Sequence, residues 1–290
     1  MQKSWLVIAS VLLSLHSGLA VCREDVIRAK GSDTLFVVAQ AWAEAYDEVN
    51  RNATISLGGG GSGTGFAALL NGTVDIANAS RAADASELER ARRLGMQLKE
   101  HVVGYDALAV YLHKDNPVDS LSFAQMAQIF GRGAKLTRWT DLGVQVPGCS
   151  DQEIVRVGRQ NNSGTYAYFR GAVLSGSRNF DQGILDMLSS KDVVHLVEKT
   201  PCAIGYSGLA YATSTVKLAC ISKDGEGACV KPSIASASDG SYPITRPLFM
   251  YSKESASPAV KEYLGWILSD AGQCVLLKRG YAPIRQVACN

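Results

Sequence analysis

Apolar positions in this chain recur with two periods that alternate along its length. Val26 to Ala29 reads as a short strand ending at Gly31-Ser32-Asp33-Thr34. Beyond it, Leu35, Val38, Trp42, Tyr46 and Val49 fall on one face of a helix, with Gln40, Glu44, Asp47 and Glu48 on the other. A strand from Ala53 to Leu57 leads into the tract Gly58-Gly59-Gly60-Gly61-Ser62-Gly63-Thr64-Gly65, then into a helix carrying Phe66, Leu69 and Leu70. A third strand, Val74 to Ala77, ends at Asn78-Ala79-Ser80-Arg81. Strand-to-helix turns rich in Gly, Ser and Thr are the layout of an open α/β sheet, whose ligands lie beyond the carboxyl ends of the strands.

The apolar strand Ala107 to Leu112 opens a second region of the same kind. Ser122 caps a helix, Gln125 completes a capping box, and Phe123, Met126, Ile129 and Phe130 form its inner face. A strand from Ile154 to Val157 runs into Arg159-Gln160-Asn161-Asn162-Ser163-Gly164-Thr165, and a helix from Tyr166 to Leu174 follows. Ala203 to Tyr206, Val216 to Ile221 and Leu248 to Tyr251 read as further strands. Ser257-Pro258 starts a closing helix through Val260, Tyr263, Leu264 and Ile267. With no repeat and no Pro-rich linker, two lobes joined by continuous strands are expected.

Composition narrows the function classes. The 290 residues carry a formal charge of only +2, with 19% charged and 47% hydrophobic positions, and no basic run. Nucleic-acid binding normally needs a clear basic excess, so any anion held here is small and held locally. At the start, Lys3 precedes an apolar run from Trp5 to Leu15, and Gly18 and Ala20 are the small residues of a cut after Ala20. Residues 1–20 therefore read as a secretory signal, and the protein as periplasmic or secreted. Of the 7 cysteines, none has zinc spacing, and in an exported chain they read as disulfide partners. Cys220 and Cys229 flank a turn-rich insert and are placed to staple a hairpin. Cys22, beside the cut, is the odd one. A lipid on it would leave six to pair and give an anchored form, whereas Val21 is bulkier than lipoprotein signals favour.

The candidate chemistry lies in the turns. The first N–H groups of a helix have no internal partner, and the helix dipole places about half a positive charge there. Glycine lets a ligand approach the backbone and Ser or Thr adds donors, which together make a pocket for a small anion. Any one such turn is also a plain helix cap, but four in one chain, two of them beside an arginine, indicate a binding site. Rival motifs are weak. Gly58, Gly60 and Gly63 match a dinucleotide fingerprint inside a glycine-rich run, no P-loop lysine is present, and Ser163 is not in a nucleophile elbow. None of His101, His113 and His195 lies in a Ser/Gly loop. No cofactor and no catalytic constellation is called for.

Gly31-Ser32-Asp33-Thr34, Gly61-Ser62-Gly63-Thr64-Gly65, Asp75 to Arg81 and Arg159-x-x-Asn162-Ser163-Gly164-Thr165 resemble the binding loops of the phosphate-binding proteins of ABC-type phosphate transporters. Pro201 to Tyr206 and Tyr242 to Leu248 resemble structural motifs of the same family. The resemblance implies the α/β two-lobed periplasmic-binding-protein fold, with two open sheets flanked by helices. Strands near Tyr105 to Leu112 and Thr245 to Tyr251 would form its two-strand hinge. It implies lobe I from residues 21–108 and 246–290, lobe II from 109–245, and a monomer that closes over one inorganic phosphate and delivers it to an ABC permease. Membrane contact would come only through the permease or a lipid at Cys22.

By motif, Thr34, Ser62, Ser80, Arg159, Ser163, Gly164 and Thr165 would contact the anion, with Arg159 supplying the main charge. Many members have an aspartate where this chain has Arg81; that aspartate accepts the proton of hydrogen phosphate and excludes sulfate. Asp33 has two readings here: it takes over the acceptor role while Arg81 balances its charge, or it only caps the first helix. The alternatives are another oxyanion, a secreted phosphate-ester hydrolase and an adhesin on the same fold.

Overall fold

A computed structural model describes residues 25–176, 178–225 and 228–289. The signal sequence and Cys22 lie outside the described residues. The first lobe begins with β1 (Asp25–Gly31), α1 (Asp33–Val49), β2 (Ala53–Gly58), α2 (Ser62–Leu70), β3 (Ile76–Ala79) and α3 (Ala85–Arg93). The long β4 (Leu98–His113) then carries the chain into the second lobe. That lobe holds β5 (Ser120–Ser122), α4 (Phe123–Phe130), β6 (Val155–Arg159), α5 (Gly164–Val173), β7 (Leu185–Met187), α6 (Ser190–Lys199), β8 (Ala203–Gly208), β9 (Val216–Leu218), β10 (Cys220–Ser222) and α7 (Ile234–Ser238). The chain returns through β11 (Thr245–Lys253) to α8 (Pro258–Leu268) and α9 (Asp270–Lys278).

The main sheet runs in the order β2-β1-β3-β11-β4-β8-β6-β7, with β9 also against β4. β1, β2 and β3 are parallel, as are β8, β6 and β7, while β11 and β4 run antiparallel to their neighbours. β4 serves both lobes. Its residues up to Ala107 pair with β11, and Leu108 to Leu112 pair with β8. From Val103 to His113 only Tyr105 is not buried, because helices cover both faces there. Upstream, Lys99, Glu100 and His101 lie on the free edge of the first sheet. That is why the strand looked shorter in sequence.

Each lobe has helices on both faces. In the first, Leu35, Val38, Trp42 and Tyr46 of α1 pack with Ile27, Ala29 and the α8 residues Tyr263, Leu264 and Ile267. On the opposite face Phe66 and Leu69 cover Ala77, Ala79, Phe249 and Tyr251. In the second lobe Phe130, Phe169 and Tyr206 form the aromatic centre, with Phe169 and Tyr206 stacked at 3.9 Å. Val193, Val194 and Val197 of α6 cover the other face.

Several expectations need correction. Val49, expected on the buried face of α1, is 64% exposed, because it is the last residue of the helix. The third strand begins at Ile76 rather than Val74. Val216 to Ile221 is not one strand, since β9 joins the main sheet and β10 pairs with β5. The helix at Pro258 does not close the chain, because α9 follows.

Among the described residues, three disulfides close loops of very different length: Cys149–Cys202, separated by 53 residues, Cys220–Cys229 by 9, and Cys274–Cys289 by 15. On chain entropy, the first stabilises by roughly 4 kcal/mol and the second by about 2.6 kcal/mol. Replacing Cys149 and Cys202 by serine is therefore expected to lower the urea midpoint more than replacing Cys220 and Cys229. Equal losses would show that loop length is not the governing factor.

Candidate functional site

Four loops meet between the lobes, each following the carboxyl end of a parallel strand. β1 runs into Ser32 and α1, β2 into the glycines before α2, β3 into Ser80, and β6 ends at Arg159 before the turn that starts α5. Three helices thus aim their N-terminal N–H groups into one cleft. The glycines here have specific work. Gly61 caps α2 at φ 90°, where a Cβ would also lie 2.8 Å from the Asn162 carbonyl oxygen. A Cβ on Gly164 would lie 2.4 Å from Ser62 Oγ and 2.5 Å from Ser80 Oγ. Only glycine lets the two lobes approach this closely.

Thr34, Ser62, Ser80, Arg159, Ser163 and Thr165 are all buried at this meeting point. Ser80 N–H donates to Ser62 Oγ at 3.1 Å, and Ser32 Oγ donates to Ser80 Oγ at 2.9 Å. Ser163 Oγ caps α5 by accepting from Thr165 N–H at 3.1 Å. Across the cleft, Thr34 Oγ1 and Thr165 Oγ1 are 3.0 Å apart, Gly63 N–H donates to the Asn162 carbonyl at 3.0 Å, and Asn162 Nδ2 donates to the Gly60 carbonyl at 3.1 Å. The lobes are closed on each other.

Asp33 is the first residue of α1, and Ser32 is its N-cap. The Asp33 carboxylate does not cap the helix. Oδ1 accepts from Gly60 N–H at 2.9 Å, and Oδ2 accepts from Arg159 Nη2 at 2.7 Å, from the opposite lobe. Arg159 also donates through Nε to the Met187 carbonyl, through Nη1 to Ser190 Oγ and through Nη2 to the Leu188 carbonyl. A guanidinium has five N–H donors, so among the described residues these bonds leave one Nη1 proton for an anion. Burial lowers the Arg159 guanidinium below its ordinary value, with Asp33 opposing that shift and Arg246 adding to it.

Arg81 is placed differently from the other candidates. Its guanidinium donates to both carboxylate oxygens of Glu87 at 2.7 Å and lies over the Phe66 ring. Glu87 also takes part in the capping box that starts α3. The expectation that Arg81 balances Asp33 is therefore corrected: Glu87 neutralises Arg81, and Arg159 pairs with Asp33. Four further residues lie at the cleft: Ser32 and Asn162, which the binding-loop motifs contain without a contact role, and Asp106 and Arg246, which sequence reasoning did not connect with the site. Asp106 and Arg246 form a fully buried ion pair at 2.8 Å. For Asp106 and Arg246 the available signal was a single charge inside an uncharged run, 102–112 for the first and 244–252 for the second.

Arg159, Arg246, Asp33 and Asp106 together sum to zero, two guanidinium groups against two carboxylates, with Asp33 only partly buried. An incoming anion would therefore be met by the helix ends, the hydroxyls and the free Arg159 proton. The arrangement suits a small, multiply accepting anion. No helix among the described residues is long and apolar enough to cross a membrane.

Comparison with known proteins gives the same direction. Residues 22–271 match the PBP superfamily domain. Protein SphX of Synechococcus elongatus is 33% identical, covering 96% of this chain and 82% of the relative. The phosphate-binding protein PstS of Pseudomonas aeruginosa is 32% identical, covering 88% of this chain and 81% of the relative. A Clostridium perfringens protein, described as a candidate phosphate ABC transporter substrate-binding protein and solved with bound phosphate, is also similar. It has a TM-score of 0.79 at 27% identity, covering 90% of this chain and 100% of that one. With this coverage and this arrangement of loops, the chain belongs to the PBP superfamily and, within it, to the family of PstS phosphate-binding proteins.

Proposed function

We propose that this protein captures inorganic phosphate between its two lobes and delivers it to the permease of an ABC transporter. The observation that carries this reading is the convergence of three helix N-termini and the Thr34, Ser62, Ser80, Ser163 and Thr165 hydroxyls beside Arg159. Closure replaces the water around the anion with fixed donors, and those donors need no reorganisation to receive it. Calorimetric titration of phosphate-stripped protein with phosphate and then sulfate tests the proposal. Tight one-to-one phosphate binding with little sulfate binding is expected, and no binding by folded protein would overturn it.

Asp33 is the phosphate-over-sulfate discriminator in this proposal. Each of its carboxylate oxygens accepts one N–H from the protein, and each keeps lone-pair capacity to accept the proton of hydrogen phosphate. Sulfate has no proton to offer and would meet bare repulsion. Asp33→Asn is expected to reduce the preference for phosphate over sulfate by about tenfold or more, consistent with the roughly 1–3 kcal/mol cost of an unmatched buried polar group. An unchanged ratio of the two affinities would remove Asp33 from this role.

The protein works without turning its ligand over, as a periplasmic or secreted monomer. Failure to release phosphate from a chromogenic ester is the corresponding expectation. The lobes comprise residues 21–108 with 246–290, and residues 109–245. The switch of β4 from β11 to β8 after Ala107 and the start of β11 at Thr245 support this division.

A further inference from the structure

Asp106 and Arg246 are cross-strand partners in the register of β4 and β11, at the place where the chain passes between lobes. Their side chains are both fully buried. A buried ion pair costs desolvation and is weak evidence for stability by itself, so the geometry around the pair is the informative part. Arg246 donates from Nε and Nη2 to Asp106 Oδ2 at 3.1 and 2.8 Å. Its other protons go from Nη2 to Thr34 Oγ1 at 3.1 Å, and from Nη1 to Thr165 Oγ1 at 3.0 Å and the Ser80 carbonyl at 3.5 Å. All five N–H groups are committed to protein acceptors.

We propose that Arg246, held in plane by Asp106, is a positioning residue that sets the hydroxyl protons of Thr34 and Thr165 for the anion. An arginine donates and never accepts, so each threonine oxygen must accept from it. The two hydroxyls are also 3.0 Å from each other, and one donates to the other. The threonine that accepts this bond then has both lone pairs filled, and its own proton is free. That hydroxyl presents a donor, not a lone pair, to whatever lies in the cleft. Thr34 comes from the first lobe and Thr165 from the second, so the arrangement is complete only when the lobes are closed. The planar fork is essential, because a lysine at this position would keep the charge without reaching both hydroxyls and Asp106 at once.

This inference rests on the phosphate-binding reading, and its test separates the two. Inorganic phosphate is titrated into phosphate-stripped wild type, Arg246→Lys, Thr34→Val and the double variant, with urea midpoints recorded for each. Each single change is expected to weaken phosphate binding by about tenfold or more. The double variant should be little weaker than the worse single, because Thr34 without its fork has lost the orientation that made it useful. Thr34→Ser, which keeps the hydroxyl, should bind close to wild type. Should Arg246→Lys not fold, Asp106→Asn takes its place in the same cycle. Effects that multiply independently would overturn the positioning role, as would a lowered urea midpoint with unchanged affinity. A wild type that binds no phosphate would overturn both readings.

Discussion

Arg159→Ala is expected to weaken phosphate binding by at least about a thousandfold, which corresponds to roughly 4 kcal/mol. Two losses combine. The anion loses its hydrogen bond from a charged donor, a class of interaction worth about 1.5–3 kcal/mol. The Asp33 carboxylate, paired with Arg159 Nη2 at 2.7 Å, is then left as an uncompensated negative charge facing an incoming anion. The second loss makes a further prediction. Adding Asp33→Asn to Arg159→Ala should recover part of the affinity, although Asp33→Asn alone impairs selectivity. Lysine at position 159 should restore less than its charge suggests, since it does not reproduce the fork that engages Met187, Leu188, Ser190 and Asp33 together. Calorimetry on the four variants reads all of this. Tight phosphate binding by Arg159→Ala would mean that the helix ends alone hold the anion.

Gly164→Ala is the second change with a large expected effect, and it acts by space alone. The added methyl would fall on the Ser62 and Ser80 hydroxyls, which belong to the opposite lobe. These groups have to shift or the lobes have to separate, and overpacking of this kind costs about 1–3 kcal/mol. Phosphate affinity should therefore fall by up to about a hundredfold. The helix that begins at Gly164 should be no less stable, because alanine is a better helix former than glycine. The expected signature is weakened binding with an unchanged or raised urea midpoint, and a larger radius of gyration in phosphate-saturated solution by X-ray scattering. Wild-type affinity in this variant would show that the closed approach of Gly164 to the two serines is not the binding geometry.

These two residues illustrate how much of the site can be read from the chain. Gly-Ser-Asp-Thr, the glycine tract, Asn-Ala-Ser-Arg and Asn-Ser-Gly-Thr each stand where a strand ends, and the structure gathers all four around one cleft. That was legible because a helix start has local rules: a small polar cap, exposed N–H groups, and an apolar period that begins just after it. The capping box of Ser122 and Gln125, with 2.8 and 3.2 Å bonds, and the cap of α8 by Ser257 follow the same rules. Elements without a strong period were harder to see. α3 is polar nearly all round, with only Ala91 buried, and the first half of β4 lies at a sheet edge. In both, solvent rather than a buried face dominates the pattern.

The charges show where local rules end. Arg81 sits in a binding-loop motif, yet its guanidinium goes to Glu87 and the Phe66 ring. Asp33 has the residue type of a helix cap, yet Ser32 holds the cap position and the Asp33 carboxylate reaches across the cleft to Arg159. Arg246 and Asp106, 140 residues apart, gave no joint signal in sequence, and antiparallel pairing of β4 and β11 makes them neighbours.

What the sequence by itself determined is the set of anion-ready turns, the helix faces and the α/β class, because each follows from residues within a few positions of one another. Only the tertiary structure decided which carboxylate neutralises which arginine, and therefore which donors remain for a ligand. A long side chain has several partners within reach, and burial makes every unpaired charge costly. The pairing is therefore selected by the whole set of buried groups that closure brings together, and no single stretch of chain contains that set.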